Sequence, residues 1–437
     1  MPSQKLISNS VKDKGLTISV FSLFIVSTFS IAGIEFFTII LMSFALWHYF
    51  STDNLDKPPL WLVAPFFIWL AVALLSALLN PNFLRTLLNM KGEYRLLLPF
   101  ALLPAFSKVR IRTLLKVYLV FVCIISIYSI IQFKFGVDWF RPEGKKLITP
   151  YMNLFHGKGN FSHHLTYAGF MLMNVPFFFA LFLFDRDKQR YLWAIASIFS
   201  VLGVLVSLGR SCWVGTIVGL FILILILPKK ISFPILGSGV ILGMAFIYVT
   251  SSGFIQEYIK PSNEHSVFLN RILRTSITND RDRLYLWEAG WLGFKDNPWI
   301  GVGIGNEDYR YEPYRKIVAD KHGGHVFFNS ASAGIHNLYL TILFVNGVIG
   351  LTVHFLLFVA VFAWCGKWIR YSTPNTRFET GLLWGTVGAS TGILASSVFD
   401  NFFFDSEVQN LNMILFGLAI YAGLKIREHT ASVNRPS

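Results

Sequence analysis

Apolar residues in this chain come in long unbroken blocks, without the alternation of a strand or the single stripe of a surface helix. A helix needs roughly 20 apolar residues to cross a bilayer. On that measure the sequence predicts spans near 16–33, 34–50, 60–79, 95–106, 113–133, 165–184, 191–208, 212–227, 231–250, 337–364, 380–399 and 408–424, twelve in all. The fourth is short and interrupted by Pro99 and Pro104. The run from Tyr191 to Leu227 is about twice too long for one span. Gly209, Arg210 and Ser211 divide it, so it reads as a tight hairpin with Arg210 at the tip. One long polar interruption, 251–335, separates the ninth and tenth spans. The expected fold is all-α: a polytopic membrane protein of about 12 transmembrane helices and one long outer loop containing short helices. Helices 1–9 fall in 1–250, the loop in 251–335, and helices 10–12 with an inner tail in 336–437, as one integral membrane domain.

Composition agrees. The chain is 54% hydrophobic and 14% charged, whereas a soluble domain carries about a quarter charged residues. The net charge of +14 does not indicate nucleic acid, because the basic residues sit in short loops between apolar runs and build no basic face. They follow the positive-inside rule. Lys5, Lys12 and Lys14 precede an uncleaved first span with no small-residue cleavage site. The inner loops then hold Lys108, Arg110 and Arg112; Arg186, Lys188 and Arg190; Lys229 and Lys230; Lys367, Arg370 and Arg377; and Lys425 and Arg427. The outer segment after the eleventh span is acidic, with Asp400, Asp405 and Glu407. Arg85, Lys91, Arg95, Arg141, Lys145, Lys146 and Lys158 fall outside against the rule, where topology does not need them and they are available to attract an anion. Cys123, Cys212 and Cys365 lie in or beside apolar runs with no C-x-x-C spacing and read as small buried hydrophobes.

Functional side chains are expected in the long loop and at the span ends that share its side. Leu284, Trp287, Trp291 and Phe294 recur at helical spacing, which predicts an amphipathic helix on or under the membrane face, ended by Pro298 and the glycines at 301, 303 and 305. Arg283 and Trp287 are one turn apart and can point the same way. A guanidinium offers a planar fork of donors suited to phosphate oxygens, although Arg283 can equally pair with Asp280 or Glu288 at a wet surface. Arg210 at a membrane rim is a functional candidate by default, with a snorkelling contact to lipid phosphate as the plain alternative. His336, followed by Asn337, opens the tenth span, where an imidazole can take a proton near neutral pH or simply cap a helix. His163, His164 and Tyr167 lie in the segment Gly159 to Gly169 that enters the sixth span, as cavity lining or as an interfacial cap.

Other patterns are weaker. His322 and His325 are not spaced with His336 for zinc. Asp280-Arg281-Asp282 has Asp-x-Asp spacing, but the intervening and following arginines repel a divalent cation. Gly301, Gly303 and Gly305 lack the strand before and the Gly-Lys-Ser after that a nucleotide loop requires, and read as a place where backbone packs tightly.

Several of these motifs occur in a specific order. Ser-x-x-Arg-Ser at Ser207–Ser211 is followed by Arg-x-x-x-Trp at 283–287, Asn-Pro-x-x-Gly-x-Gly-x-Gly at 297–305, His-Asn-x-x-Leu at 336–340 and Asn-Gly-x-x-Gly-Leu at 346–351. From about Ser207 to Leu351 the chain resembles the O-antigen ligase and polymerase superfamily of bacterial envelope glycosyltransferases. The resemblance implies a metal-independent, cofactor-free, inverting transferase in the bacterial inner (cytoplasmic) membrane, with the long loop and the site on the periplasmic side. The donor is a glycan on undecaprenyl pyrophosphate. The acceptor is a hydroxyl: of lipid A–core in ligases, of a second lipid-linked repeat in polymerases, of Ser or Thr in protein ligases. The family's functional arginines fall on Arg210 and Arg283 and its functional histidine on His336. Arg281, Trp287, His163, His164, Tyr167 and Asn337 are the expected substrate-binding residues. The other expected partners are membrane lipids. A small-solute transporter is the rival from another class; it calls for internal repeats and broken helices near the midplane, and no sequence repeat is visible.

Overall fold

In a computed structural model the described residues are 2–52, 57–80, 82–140, 150–151, 154–230, 232, 234, 277–323 and 334–433, with side chains omitted for 2–9, 150–151 and 277–282. They form α1 (Pro2–Val26), α2 (Ile31–Ser51), α3 (Leu60–Leu79), α4 (Phe83–Asn89), α5 (Leu98–Phe106), α6 (Ile111–Phe135), α7 (His164–Phe184), α8 (Arg190–Val206), α9 (Arg210–Leu225), α10 (Ile277–Asp296), α11 (Glu307–Lys321), α12 (Leu338–Arg370), α13 (Arg377–Ser396) and α14 (Ser406–Val433). The only strands among the described residues are two dipeptides, Pro150–Tyr151 paired antiparallel with Leu154–Phe155.

This all-α architecture fits a polytopic membrane protein. Among the described residues five helices are long and apolar enough to cross a bilayer: α2, α3, α6, α7 and α12. The expected fourth span is broken. A 3-10 turn covers Met90–Leu97, and α5 is only nine residues, with Pro99 in its first turn and Pro104 inside. Proline removes an amide donor and crowds the preceding turn. α8 and α9 are apolar but have 17 and 16 residues. The expected span 231–250, apart from residues 232 and 234, and the loop stretches 251–276 and 324–333 lie outside the described residues. The long interruption is more helical than expected, since α10 and α11 occupy most of its described part.

Two glycine devices set the packing that matters for the site. Gly215 and Gly219 on α9 face Gly392 and Gly388 on α13, each pair four residues apart. A Cβ on Gly215 would lie 2.5 Å from the Gly392 carbonyl oxygen, and one on Gly219 would lie 2.7 Å from that of Gly388. Small residues at this spacing let membrane helices touch backbone to backbone. The contact brings the head of α9, with Arg210, beside the turn that follows α13.

The second device joins the glycine-rich loop to α12. That helix is interrupted at Gly347, whose φ of 65° and ψ of −167° are not helical. The 297–303 loop docks there: the Val302 and Gly303 amides donate to the Phe344 and Val345 carbonyls at 2.9 and 2.8 Å, and the Val348 amide donates to the Pro298 carbonyl at 2.8 Å. Groups released by the helix break are thereby satisfied, as a low-dielectric setting demands. Gly301 has φ +66°, and its Cβ would sit 2.3 Å from the Val345 carbonyl carbon. The glycine run therefore serves backbone docking, as the sequence predicts.

The same loop corrects an expectation about the basic residues on this side. Arg85 donates to the Gly305 carbonyl at 2.7 Å and lies over the Tyr309 ring. Lys158 pairs with Asp138 at 3.2 Å, and Arg95 pairs with Glu35 while donating to Gln409 at 3.1 Å. These three hold the fold together. Arg141, Lys145 and Lys146 lie outside the described residues.

α10 also departs from the simple amphipathic reading. Its buried face is small: Leu286, Ala289, Gly290 and Gly293, packed on Ile335, Phe344 and Tyr314, and the Tyr311 hydroxyl donates to the Leu286 carbonyl at 2.7 Å. Leu284 and Trp291, members of the expected apolar stripe, are exposed. Cys212 and Cys365 are buried and Cys123 is half-buried.

Candidate functional site

A cavity of about 440 Å³ lies where α7, α9 and α10 meet the turn after α13; Arg210, Arg283, His164, Trp287, Leu284 and Phe399 are among its lining residues. Two helix N-termini reach it. Arg210 and Ser211 open α9, and His164 opens α7. The first amides of a helix carry partial positive charge and lack intrahelical acceptors, so both helix ends reinforce the two guanidinium groups.

Arg283 is fixed by a hydrogen bond from Nη1 to the Phe399 carbonyl at 2.9 Å. It does not pair with Glu288, which binds Lys321 at 2.5 Å and His322 at 2.9 Å. Trp287 stands beside Phe399 with ring centroids 6.2 Å apart, and its indole Nε1 donates to the His336 carbonyl at 3.4 Å.

His336 lies next to this cavity, behind Trp287, and is not one of its lining residues. Its Nδ1 meets Asp400 Oδ1 at 3.4 Å. The second carboxylate oxygen of Asp400 is buried without a hydrogen-bond partner among the described residues. His336 has φ 51° and Leu208 has φ 58°; among the described residues these are the only non-glycine positions in the left-handed region. Such backbone is costly and persists where the surroundings over-determine it, typically at functional sites. One of these positions is the histidine and the other lies two residues before Arg210.

Three histidine rings line up beside them. His164 lies between His156, at 4.2 Å, and His163, at 4.3 Å between centroids. His156 Nδ1 meets the Ser207 carbonyl at 3.0 Å, which ties the row to the turn before Arg210. His163 caps α7, its Nδ1 accepting from the Leu165 amide at 3.3 Å. Burial lowers the pKa of His163; Asp400 opposes this, while His336 and Lys158 add to it. The net shift favours the neutral ring.

Two expected substrate-binding residues serve the framework. Tyr167 is fully buried, with its hydroxyl 2.7 Å from Ser129 Oγ. Asn337 caps α12, its Oδ1 accepting from the Leu340 amide at 3.0 Å. Both follow from local geometry: one side chain points into the bundle, and the other saturates an amide at the helix start. The side chain of Arg281, with those of Asp280 and Asp282, lies outside the described residues, as does His325. His322 ends α11 and stacks on Tyr285 at 4.3 Å. Asp400, Phe399 and His156 were not singled out from the sequence. The acidic cluster at 400–407 was the one available signal, and it marked charge without revealing a partner.

Asp405 supports the same corner. Its Oδ2 accepts from Thr166 Oγ1 at 2.9 Å. Burial pushes its carboxyl from an ordinary 3.8 up to about 7; the Thr166 hydrogen bond opposes this, and Asp400 and Glu407 add to it. The unfolded chain releases this proton near its ordinary value, while the folded chain holds it until about pH 7. The stability linked to this proton is therefore full at low pH, falls between about pH 4 and 7, and is level above. Asp405→Asn should flatten that stretch of the unfolding free-energy profile in detergent, with a slope change on the order of 1 kcal/mol per pH unit; an unchanged profile would show that Asp405 is not the titrating group.

Residues 195–355 match the family model described as O-antigen ligase. That stretch includes Arg210, Arg283, Trp287 and His336 but not His163, His164, Phe399 or Asp400, so the site is completed from outside it. No curated protein matches the chain.

Proposed function

The match over 195–355 supports the O-antigen ligase superfamily and its ligase or polymerase function in general, and from that premise we propose that the chain is an O-antigen ligase that moves glycan from undecaprenyl pyrophosphate to a hydroxyl of lipid A–core. The observation that carries this reading is that Arg210 and Arg283 line the same cavity, beside two helix N-termini. That arrangement suits a diphosphate. Leu284 and Val214 give the same cavity an apolar lip, which suits a ligand whose charged head continues into a lipid chain.

In the proposed step the acceptor oxygen attacks the anomeric carbon and the bond from that carbon to the pyrophosphate oxygen breaks. Negative charge gathers on the leaving diphosphate, and fixed donors in a partly dry site stabilise it without reorganising. Arg210 and Arg283 supply those donors. His336 accepts the proton of the attacking hydroxyl through Nε2, while Asp400 holds Nδ1–H and sets the ring orientation. A single displacement inverts the anomeric centre. No metal takes part in this step, because guanidinium groups do the neutralising.

Orientation follows from charge. The cavity lies at the end where α7, α9 and α12 begin. The opposite end carries Arg112 paired with Asp185 at 2.8 Å, together with Arg186, Lys188, Arg190, Arg370, Arg377 and Lys425. The positive-inside rule then turns the cavity toward the periplasm, in the inner membrane.

The test is a deletion strain together with transfer by purified protein from undecaprenyl-pyrophosphate glycan to lipid A–core. Bare core in the strain and transfer in vitro support the ligase. A single repeat left on the core would identify a polymerase instead, and a wild-type ladder would refute both.

A further inference from the structure

A second cavity, of about 270 Å³, lies at the opposite end of the bundle, between the C-terminal ends of α2 and α5 and the late part of α14; its lining includes His48, Tyr49, Lys108, Tyr421, Lys425 and Glu428. From Ser406, near the first cavity, to Lys425 is nineteen helical residues, a rise of roughly 28 Å. The two cavities are thus separated by about the thickness of a bilayer's hydrocarbon core.

The lining is cationic at its mouth and apolar beneath, where Leu103, Pro104 and Leu424 complete it. Lys108 pairs with Asp13 at 2.9 Å and Lys425 with Glu428 at 2.7 Å, and all four side chains are about a third or more exposed. Exposed pairs of this kind contribute about 0–1 kcal/mol, so a ligand can replace the acidic partners. Lys12 is buried and donates to Ser51 Oγ at 2.7 Å, adding a third cation at this end. His48 is 6% exposed, and its Nδ1 is buried with no hydrogen-bond partner among the described residues. A buried imidazole is costly without polar partners, and Nε2, which is not among the fully covered atoms, is the nitrogen that can meet a group in the cavity that His48 lines.

We propose that this cavity holds the phosphate headgroup of an anionic phospholipid, with Lys108 and Lys425 on the phosphate oxygens and His48 as a hydrogen-bond donor beneath them. Basic pockets between membrane helices on the cation-rich side bind such headgroups, and the leucine and proline floor receives the start of the acyl chains. Free phosphate shares the headgroup chemistry but gains nothing from that floor.

Native mass spectrometry of the full chain, delipidated and then supplied with equal doses of phosphatidylglycerol and phosphatidylcholine, tests the assignment. Wild type should retain phosphatidylglycerol preferentially. The double variant Lys108→Gln/Lys425→Gln should lose that preference on the order of 10- to 30-fold, and His48→Phe should lose part of it. Lys108 is exposed and Lys425 partly so, so the double variant should keep its helical circular dichroism. Arg283→Ala should retain lipid as wild type does, which separates this result from the transferase reading. Equal retention in wild type and the double variant would overturn the proposal, as would inorganic phosphate displacing the lipid at equal concentration.

Discussion

Replacing Arg210 or Arg283 with alanine should lower glycan transfer on the order of 100- to 1,000-fold, the usual cost of removing one fixed donor from a developing anion. Both guanidinium groups line the 440 Å³ cavity, while α9 meets α13 through the Gly215–Gly392 and Gly219–Gly388 contacts. Arg283→Ala removes the hydrogen bond to Phe399, which contributes about 1 kcal/mol. Its melting temperature should therefore drop only slightly while transfer collapses. Lysine at either position keeps the charge but loses the planar fork, so it should recover part of the rate and not all of it. The assay is transfer by each purified variant beside its melting curve. A variant that melts like wild type and transfers within about threefold of it would remove that arginine from the mechanism.

The second large effect concerns His336 and Asp400. His336→Ala should cost roughly 100- to 10,000-fold, the range for general-base removal. Asp400 acts through His336, 3.4 Å away, and is a positioning residue. Asp400→Asn should lower kcat while leaving donor KM within about twofold, because an amide can still occupy the space but no longer holds the Nδ1–H tautomer as a carboxylate does. Asp400→Glu should restore part of the rate. If Asp400 were purely structural, kcat and melting temperature would fall together and glutamate would rescue neither.

Much of this was legible in the sequence because the relevant physics is local. Apolar block length placed α2, α3, α6, α7 and α12, since a helix in lipid must satisfy its own backbone over a fixed thickness. Arg210, Arg283 and His336 are candidates from their places at span ends and in the long loop and from the resemblance, and the glycine run reads as backbone packing, which its docking on α12 bears out. The broken fourth span was foreshadowed by Pro99 and Pro104.

Other features depended on contacts between distant parts of the chain. Arg283 meets Phe399 across 116 positions and His336 meets Asp400 across 64. No local pattern marks such partners. His163 and Tyr167 sit four residues apart, yet one reaches the Asp400 corner and the other turns into the bundle toward Ser129. His163 is the extended cap before α7 and Tyr167 lies in its first turn, so spacing along the chain does not fix what either side chain touches.

By itself, the sequence determined a helical membrane chain, the charge asymmetry of its ends, and Arg210, Arg283 and His336 as candidate residues. Only the tertiary structure decided that Arg210 and Arg283 share one cavity, that Asp400 attends His336, and that Tyr167, Asn337 and Arg85 bond into the framework. The physical reason is one of range: hydropathy and helix geometry act over a few residues, whereas a site is assembled by glycine-to-glycine contacts and a docked loop that join segments far apart in the chain.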